Sequence, residues 1–198
     1  MKTIGITGGV GSGKTEILAY IKSRYNCKVI LADEVAHEVC RKGQRCYAAL
    51  VHLLGREVLD QKGEIHRGRM AEQIFRDSAL LQRVNACIHP AVKEYILEAI
   101  AVEREKGLLE FLFVEAALLI EDGYGALLDE LWYIYAEEQV RRDRLKAARG
   151  YSDRKISEIL RRQLSEEEYR VHCRVVIDNS GSLQHTCEQI DRKLEEYL

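Results

Sequence analysis

The chain has 198 residues, 46% of them apolar and 31% charged, which suits a globular protein with one well-buried core and small insertions. A formal net charge of −2 supplies no overall basic field and argues against nucleic acid as the main partner. No apolar run reaches the roughly 20 residues that cross a bilayer, so no membrane partner is expected.

The first predicted element is a strand, Thr3–Thr7. Met1 and Lys2 lead straight into it and leave no room for a secretory signal, so a cytoplasmic location is expected. Directly after it, Gly8-Gly9-Val10-Gly11-Ser12-Gly13-Lys14-Thr15 satisfies the pattern G-x-x-x-x-G-K-[ST]. Glycines let backbone N–H groups turn inward around phosphate oxygens, where Cβ atoms would obstruct them. A helix from Glu16 to Arg24 should follow, its positive end aimed at the same phosphates. Lys14 places a point charge at the β- and γ-phosphates, and the Thr15 hydroxyl can ligate Mg²⁺. ATP and Mg²⁺ are therefore the expected cofactors. The competing reading is a glycine-rich turn with no ligand, which strand, loop and helix in this order disfavour. The chain lacks an N-K-x-D guanine signature and an L-S-G-G-Q segment, and it is short for a RecA-like or AAA-type module. A small kinase remains.

Further strands are predicted at Cys27–Leu31, Leu112–Glu115, Leu131–Tyr135 and Val175–Ile177. Their apolar runs are continuous rather than alternating, the pattern of a parallel sheet buried on both faces by helices. Between the second and third strands lie several helices. They include Glu34–Arg41, Arg67–Arg76 and a long one starting near Pro90, with the proline in its first turn, where a missing N–H costs nothing. The stretch from Glu137 to Cys173 reads as helical and basic, and Ser182 can cap a last helix reaching about Tyr197, with Glu195 and Glu196 unfavourable for its dipole. The six cysteines, at 27, 40, 46, 87, 173 and 187, include no C-x-x-C pair and no zinc spacing with histidine, and read as reduced thiols.

In an open α/β sheet the ligand lies beyond the carboxyl ends of the strands. Asp33 falls there, two residues after the second strand, and Glu115 closes the third. Either carboxylate could take a proton from an attacking hydroxyl or hold Mg²⁺ through water; the competing reading for Asp33, a cap at the N-terminus of a helix, is compatible with that role and less favoured. Between the fourth and fifth strands, residues 141–162 hold nine lysines and arginines against three acids. A mobile lid that brings arginines over a transferring phosphoryl group has this character. A solvated helix face, or a patch for an acidic partner, would look the same.

The order of these residues resembles the dephospho-CoA kinase family along essentially the whole chain. Ile4 to Thr15 is similar to the family's opening, and Ala32-Asp33-Glu34-Val35-Ala36-His37 to its D-A-D-x-I-A-[RH] segment. Leu54-Gly55, Gly63-Glu64-Ile65-His66-Arg67 and Ile74-Phe75 keep the spacing of a further stretch, and His89-Pro90 its H-P pair. Leu118-Leu119-Ile120-Glu121 resembles P-L-L-F-E. Arg144-Leu145, Arg149-Gly150-Tyr151-Ser152 and Gln163 resemble its lid, and Ile177-Asp178-Asn179-Ser180-Gly181-Ser182 its C-terminal I-x-N-x-G-S. Three positions depart from the pattern. Leu31 stands where D-A-D has its first acid, Ala117 where P-L-L has proline, and Ala148 where the lid arginine is usual, with Arg149 one place later.

The resemblance implies an α/β P-loop NTPase fold with a five-stranded parallel sheet flanked by helices. Residues 1–33, 108–140 and 165–198 would form the nucleotide-binding core, 34–107 a helical acceptor domain and 141–164 a lid. It implies Asp33 as general base, assisted by Lys14 and by Arg142, Arg144 or Arg149. Gly8, Gly9, Val10, Gly11, Ser12, Gly13, Lys14, Thr15 and Glu16 would hold the ATP phosphates, with Asn179 near the adenine or ribose. Arg67, His89, Glu115 and Leu118 would face the acceptor, dephospho-CoA, in a monomer or weak homo-oligomer. A kinase for another nucleoside or nucleotide, and a non-catalytic ATP-binding regulator, remain open on the residues alone.

Overall fold

The most apolar stretches of the chain become the strands of one sheet in the computed structural model, which describes residues 1–198. They are β1 (Lys2–Thr7), β2 (Cys27–Leu31), β3 (Phe111–Glu115), β4 (Glu130–Tyr135) and β5 (Val175–Asp178), in the order β2-β3-β1-β4-β5. The helices are α1 (Lys14–Arg24), α2 (Ala32–Val39), α3 (Tyr47–Leu54), α4 (Arg67–Arg76), α5 (Ser78–Lys106), α6 (Glu138–Arg149), α7 (Asp153–Leu160), α8 (Glu166–His172) and α9 (Leu183–Glu195). None is long and apolar enough to cross a membrane.

β1 pairs in parallel with β3, Ile4 opposite Phe113, and with β4, Ile6 opposite Trp132; β4 pairs likewise with β5. Ile4, Ile6, Phe113, Trp132 and Ile134 are all fully buried. Each such side chain contributes roughly 1.5–3 kcal/mol, which is why these strands read as unbroken apolar runs. From β1 the chain crosses to β2 and returns through β3 on one side of β1, then passes to β4 on the other, so the loop after β1 opens at a switch point of the sheet, where α/β folds bind ligands.

The chain divides into two compact units, Met1–Val29 with Glu103–Leu198, and Ile30–Val102. The expected cuts at 33/34 and 107/108 lie a few residues later at both places. The division falls inside β2 and near the end of α5, since no glycine- or proline-rich linker marks it.

In the sheet-bearing unit, α1 packs on α9, where the Tyr20 and Tyr25 hydroxyls both donate to the Asp191 carboxylate at 2.7 and 2.6 Å. Burial and that anionic acceptor push the Tyr20 phenol up to about 12. α8 lies on β4 through a stacked pair, Tyr133 and Tyr169, with ring centroids 4.5 Å apart. The stretch expected to be helical from Glu137 to Cys173 is three helices. Gly150, at φ 60°, ends α6; the Ser152 side chain caps α7; Ser165 and Glu168 cap α8 reciprocally. Ser182 caps α9, and Lys193 pairs with Glu196 at 2.6 Å, relieving the acidic end of that helix.

In the helical unit, Val35, Val39, Leu50, Leu54, Val84 and Ile96 form the core. One expectation fails here: no helix starts at Pro90, which lies well inside α5. The start is at Asp77, whose carboxylate accepts from the backbone N–H groups of Ala79 and Leu80 at 2.9 and 3.0 Å. An interior proline has no N–H to give the carbonyl four residues earlier, here that of Ala86. Nearby, the Cys46 thiol donates to the Cys87 carbonyl at 3.4 Å. All six cysteines are free thiols, and burial raises Cys173 to about 12.

Candidate active site

The loop Gly8–Thr15 joins β1 to α1. Gly8, Gly11 and Gly13 have φ of 145°, 82° and 89°, a region side chains with Cβ rarely enter. Space forbids a side chain as firmly as the backbone does. A Cβ on Gly8 would sit 2.5 Å from the Ile134 carbonyl oxygen, and one on Gly13 2.2 Å from Asn179 Nδ2. α1 begins two residues earlier than expected, at Lys14, with Gly13 at the cap position and no side-chain cap. The first N–H groups of a helix have no partner within it, so this end is built to meet an anion.

Lys14 Nζ donates to the Gly8 carbonyl at 2.7 Å and lies 3.8 Å from the Glu115 carboxylate. Glu115, the last residue of β3, is thereby at the phosphate loop, and Leu118 beyond it is exposed while Leu119 is buried. Thr15 and Glu16 are exposed at the start of α1. The hydroxyls of Thr7 and Ser12, at the two ends of the loop's first arm, are buried without a hydrogen-bond partner. No group of three His, Cys, Asp or Glu side chains could hold a metal. A hard cation at this loop would have the Thr15 hydroxyl and otherwise phosphate oxygens and water, a donor set that fits Mg²⁺.

The basic segment meets the loop through residues that only partly match those expected. Arg144 donates to the Ser12 carbonyl at 3.3 Å and to the Asn179 carbonyl at 2.9 Å. Arg142 instead turns toward Glu138, Ser157 and Asp153, within the segment itself. Arg149 is exposed at the end of α6, 5.9 Å from the Tyr151 ring centroid. Asn179 is buried, donating to the Ser12 carbonyl at 2.7 Å and accepting from Thr186 at 2.9 Å. Its side chain braces the loop from below.

Two residues that the sequence reading does not assign to the loop also reach it. Arg141 Nε donates to the Val10 carbonyl at 3.0 Å, and Gln163 Oε1 accepts from the Val10 N–H at 3.3 Å. A signal was present. Leu145 is the one buried residue of α6; Arg141 and Arg144 stand three residues apart and share one face of that helix, whereas Arg142, Lys146 and Arg149, at spacings of four and three, share another.

In the helical unit, Asp33 is exposed in the first turn of α2. The cap position is Leu31, so Asp33 does not serve as the cap. Arg67 is the first residue of α4 and lines a cavity of about 780 Å³ with His37, Arg41, Lys62, Ile65 and Met70. The turn before it is fixed by Asp60, whose carboxylate accepts from the N–H groups of Lys62 and Glu64 at 2.8 and 2.9 Å. The bond from Glu64, more than that from Lys62, lowers the Asp60 carboxyl. Gly63 turns back at φ 77°, and the His66 ring accepts from the Arg69 N–H to start α4. His89 lies within α5 and is half-buried.

A family model described as dephospho-CoA kinase matches residues 2–185. The chain is 33% identical to the dephospho-CoA kinase of Streptococcus mutans, over 98% of this chain and 96% of that one. It is 34% identical to the dephospho-CoA kinase of Geobacter sulfurreducens, over 99% and 96%. A crystal structure from Thermus thermophilus superposes with a TM-score of 0.78 at 29% identity, covering 98% of this chain and 97% of the other.

Proposed function

The chain belongs to the dephospho-CoA kinase family, and from that premise we propose how its residues divide the reaction. The enzyme transfers the γ-phosphoryl group of ATP to dephospho-CoA, giving coenzyme A and ADP. The observation that carries the reading is the loop itself: three glycines at positive φ leading straight into the unblocked N-terminus of α1, with the Lys14 ammonium laid across them.

The loop N–H groups and the first turn of α1 bind and orient the triphosphate, and Lys14 balances charge that builds on the transferring group. The Thr15 hydroxyl would hold magnesium, which would supply positive charge to offset that of the phosphates. Asp33 accepts the proton of the ribose 3′-hydroxyl as its oxygen attacks. A bond forms between that oxygen and the γ-phosphorus, the bond from phosphorus to the β–γ bridging oxygen breaks, and ADP carries away the electron pair. Glu115 holds Lys14 in place, and Arg144 keeps the loop's far end shaped. Residues 30–102 form the acceptor domain, in which the cavity beside Arg67 takes part of dephospho-CoA, cation to its phosphates and apolar wall to its uncharged parts. The enzyme works in the cytoplasm as a monomer or weak homo-oligomer, without nucleic acid.

A panel of acceptors tests the assignment. ADP formation with dephospho-CoA should stand well above that with AMP, CMP, shikimate or adenosine. Equal rates across the panel would leave a kinase whose acceptor is wrongly named.

A further inference from the structure

Val10, at the crest of the phosphate loop, has both of its backbone polar atoms held by side chains from outside the loop. Its carbonyl accepts from Arg141 Nε at 3.0 Å, and its N–H donates to Gln163 Oε1 at 3.3 Å. The two side chains also meet each other, Arg141 Nη2 donating to the same Gln163 oxygen. Arg141 lies on α6 and Gln163 on the connection from α7 to α8, so the ring closes across the basic segment.

Two glycines answer to this ring. Gly9 is not at positive φ, so that angle does not demand glycine there. A Cβ at Gly9 would lie 2.1 Å from Arg141 Nη2 and 2.8 Å from Gln163 Oε1. One at Gly11 would lie 3.0 Å from the Arg141 carbonyl. The guanidinium is half-buried beside Tyr133 and Tyr169, and burial lowers its pKa, though an arginine stays charged.

We propose that Arg141 and Gln163 are positioning residues for the nucleotide, which fix the Val10 peptide and so hold the loop's remaining N–H groups in the arrangement that binds ADP and ATP alike. Arg141 thus differs from a lid arginine that touches the γ-phosphate. Its fork is committed to a loop carbonyl and a neutral amide, and a charge-assisted hydrogen bond from a half-buried guanidinium is among the stronger local constraints a loop can have. The basic segment then does two things: it supplies positive charge, and it sets the shape of the loop.

The inference rests on the reading of Gly8–Thr15 as an ATP site, and one set of variants separates the two claims. ATP and ADP affinities are measured by calorimetry for wild type, Arg141→Ala, Gln163→Ala, the double variant and Arg141→Lys, with kcat and KM for ATP alongside. Both single alanine variants should weaken ATP and ADP by a similar factor, about tenfold, the scale of a lost charge-assisted bond. KM for ATP should rise more than kcat falls. The double variant should be no worse than Arg141→Ala, because the two residues act as one ring, and lysine should recover part of the loss. Gly9→Ala, which displaces the guanidinium without removing it, should show the same pattern and serves if Arg141→Ala does not fold. A loss confined to ATP with a fall in kcat would make Arg141 a γ-phosphate ligand and overturn the proposal. So would additive effects, or unchanged affinities in Gln163→Ala. Failure of the wild type to bind either nucleotide would instead end the reading of the loop itself.

Discussion

Asp33 and Glu34 are both acids in the first turn of α2, where a negative charge stabilises the helix by about 0.3–1 kcal/mol. That is a modest role, and the cap itself belongs to Leu31. Under the proposed mechanism Asp33 has the larger task of receiving a proton. Asp33→Asn keeps the shape and removes the basicity, so kcat should fall by about 10²–10⁴-fold, with the thermal melt and ATP affinity near wild type. Turnover within about threefold of wild type, measured with saturating dephospho-CoA, would move the role to Glu115, which stands 3.8 Å from Lys14. At this scale the sequence was most informative where chemistry fixes spacing, as at Gly8, Gly13 and Lys14. It was least so in the basic segment, where nine similar charges hide which ones turn inward. Arg141 and Arg144 reach the loop because they stand three residues apart on one face of α6, a matter of helix face and not of charge.

Among the elements, β1 and β4 are fastened at their N-terminal ends by Asp129. Its carboxylate accepts from the Thr3 N–H and hydroxyl at 2.7 Å each, and its own N–H returns to the Thr3 carbonyl at 3.0 Å. Burial raises the Asp129 carboxyl, but the bonds from Thr3 and the charge of Arg104 outweigh it, and the net shift is downward. A carboxyl with a folded pKa below its unfolded value adds stability above the ordinary carboxylate range and loses it as pH falls through the folded value. Asp129→Asn should therefore cost about 1 kcal/mol near neutral pH, a figure reduced for the partial exposure of the group. Urea denaturation of both proteins should show that gap closing as pH falls below the usual carboxylate range. A gap constant with pH would show that shape, not charge, holds the strands. Element types were legible because a buried strand and an amphipathic helix differ in period. Pro90 misled because its preference for a first turn is statistical, while Asp77, with its carboxylate on two backbone N–H groups, is the physical start of α5.

For the molecule as a whole, the parallel sheet could be foreseen from runs apolar on both faces, but the order β2-β3-β1-β4-β5 could not. Which strands neighbour each other depends on long crossovers that no local pattern encodes. The division at Ile30 and Glu103 was equally silent, since β2 and α5 continue through it without a linker. The cavity beside Arg67 needed the turn at Asp60 and Gly63 to bring Lys62 and Arg67 onto one wall. What the sequence did carry was the succession of motifs, and it is the combination of that succession with a braced phosphate loop that supports one reaction. The most direct measurement is the identity of the product when ATP, Mg²⁺ and dephospho-CoA are mixed with the enzyme, read by mass spectrometry and ³¹P NMR. The account predicts one ADP for each dephospho-CoA consumed and a new phosphomonoester on the ribose 3′-oxygen. ADP with inorganic phosphate and unchanged dephospho-CoA, or a phosphate at another oxygen, would contradict it.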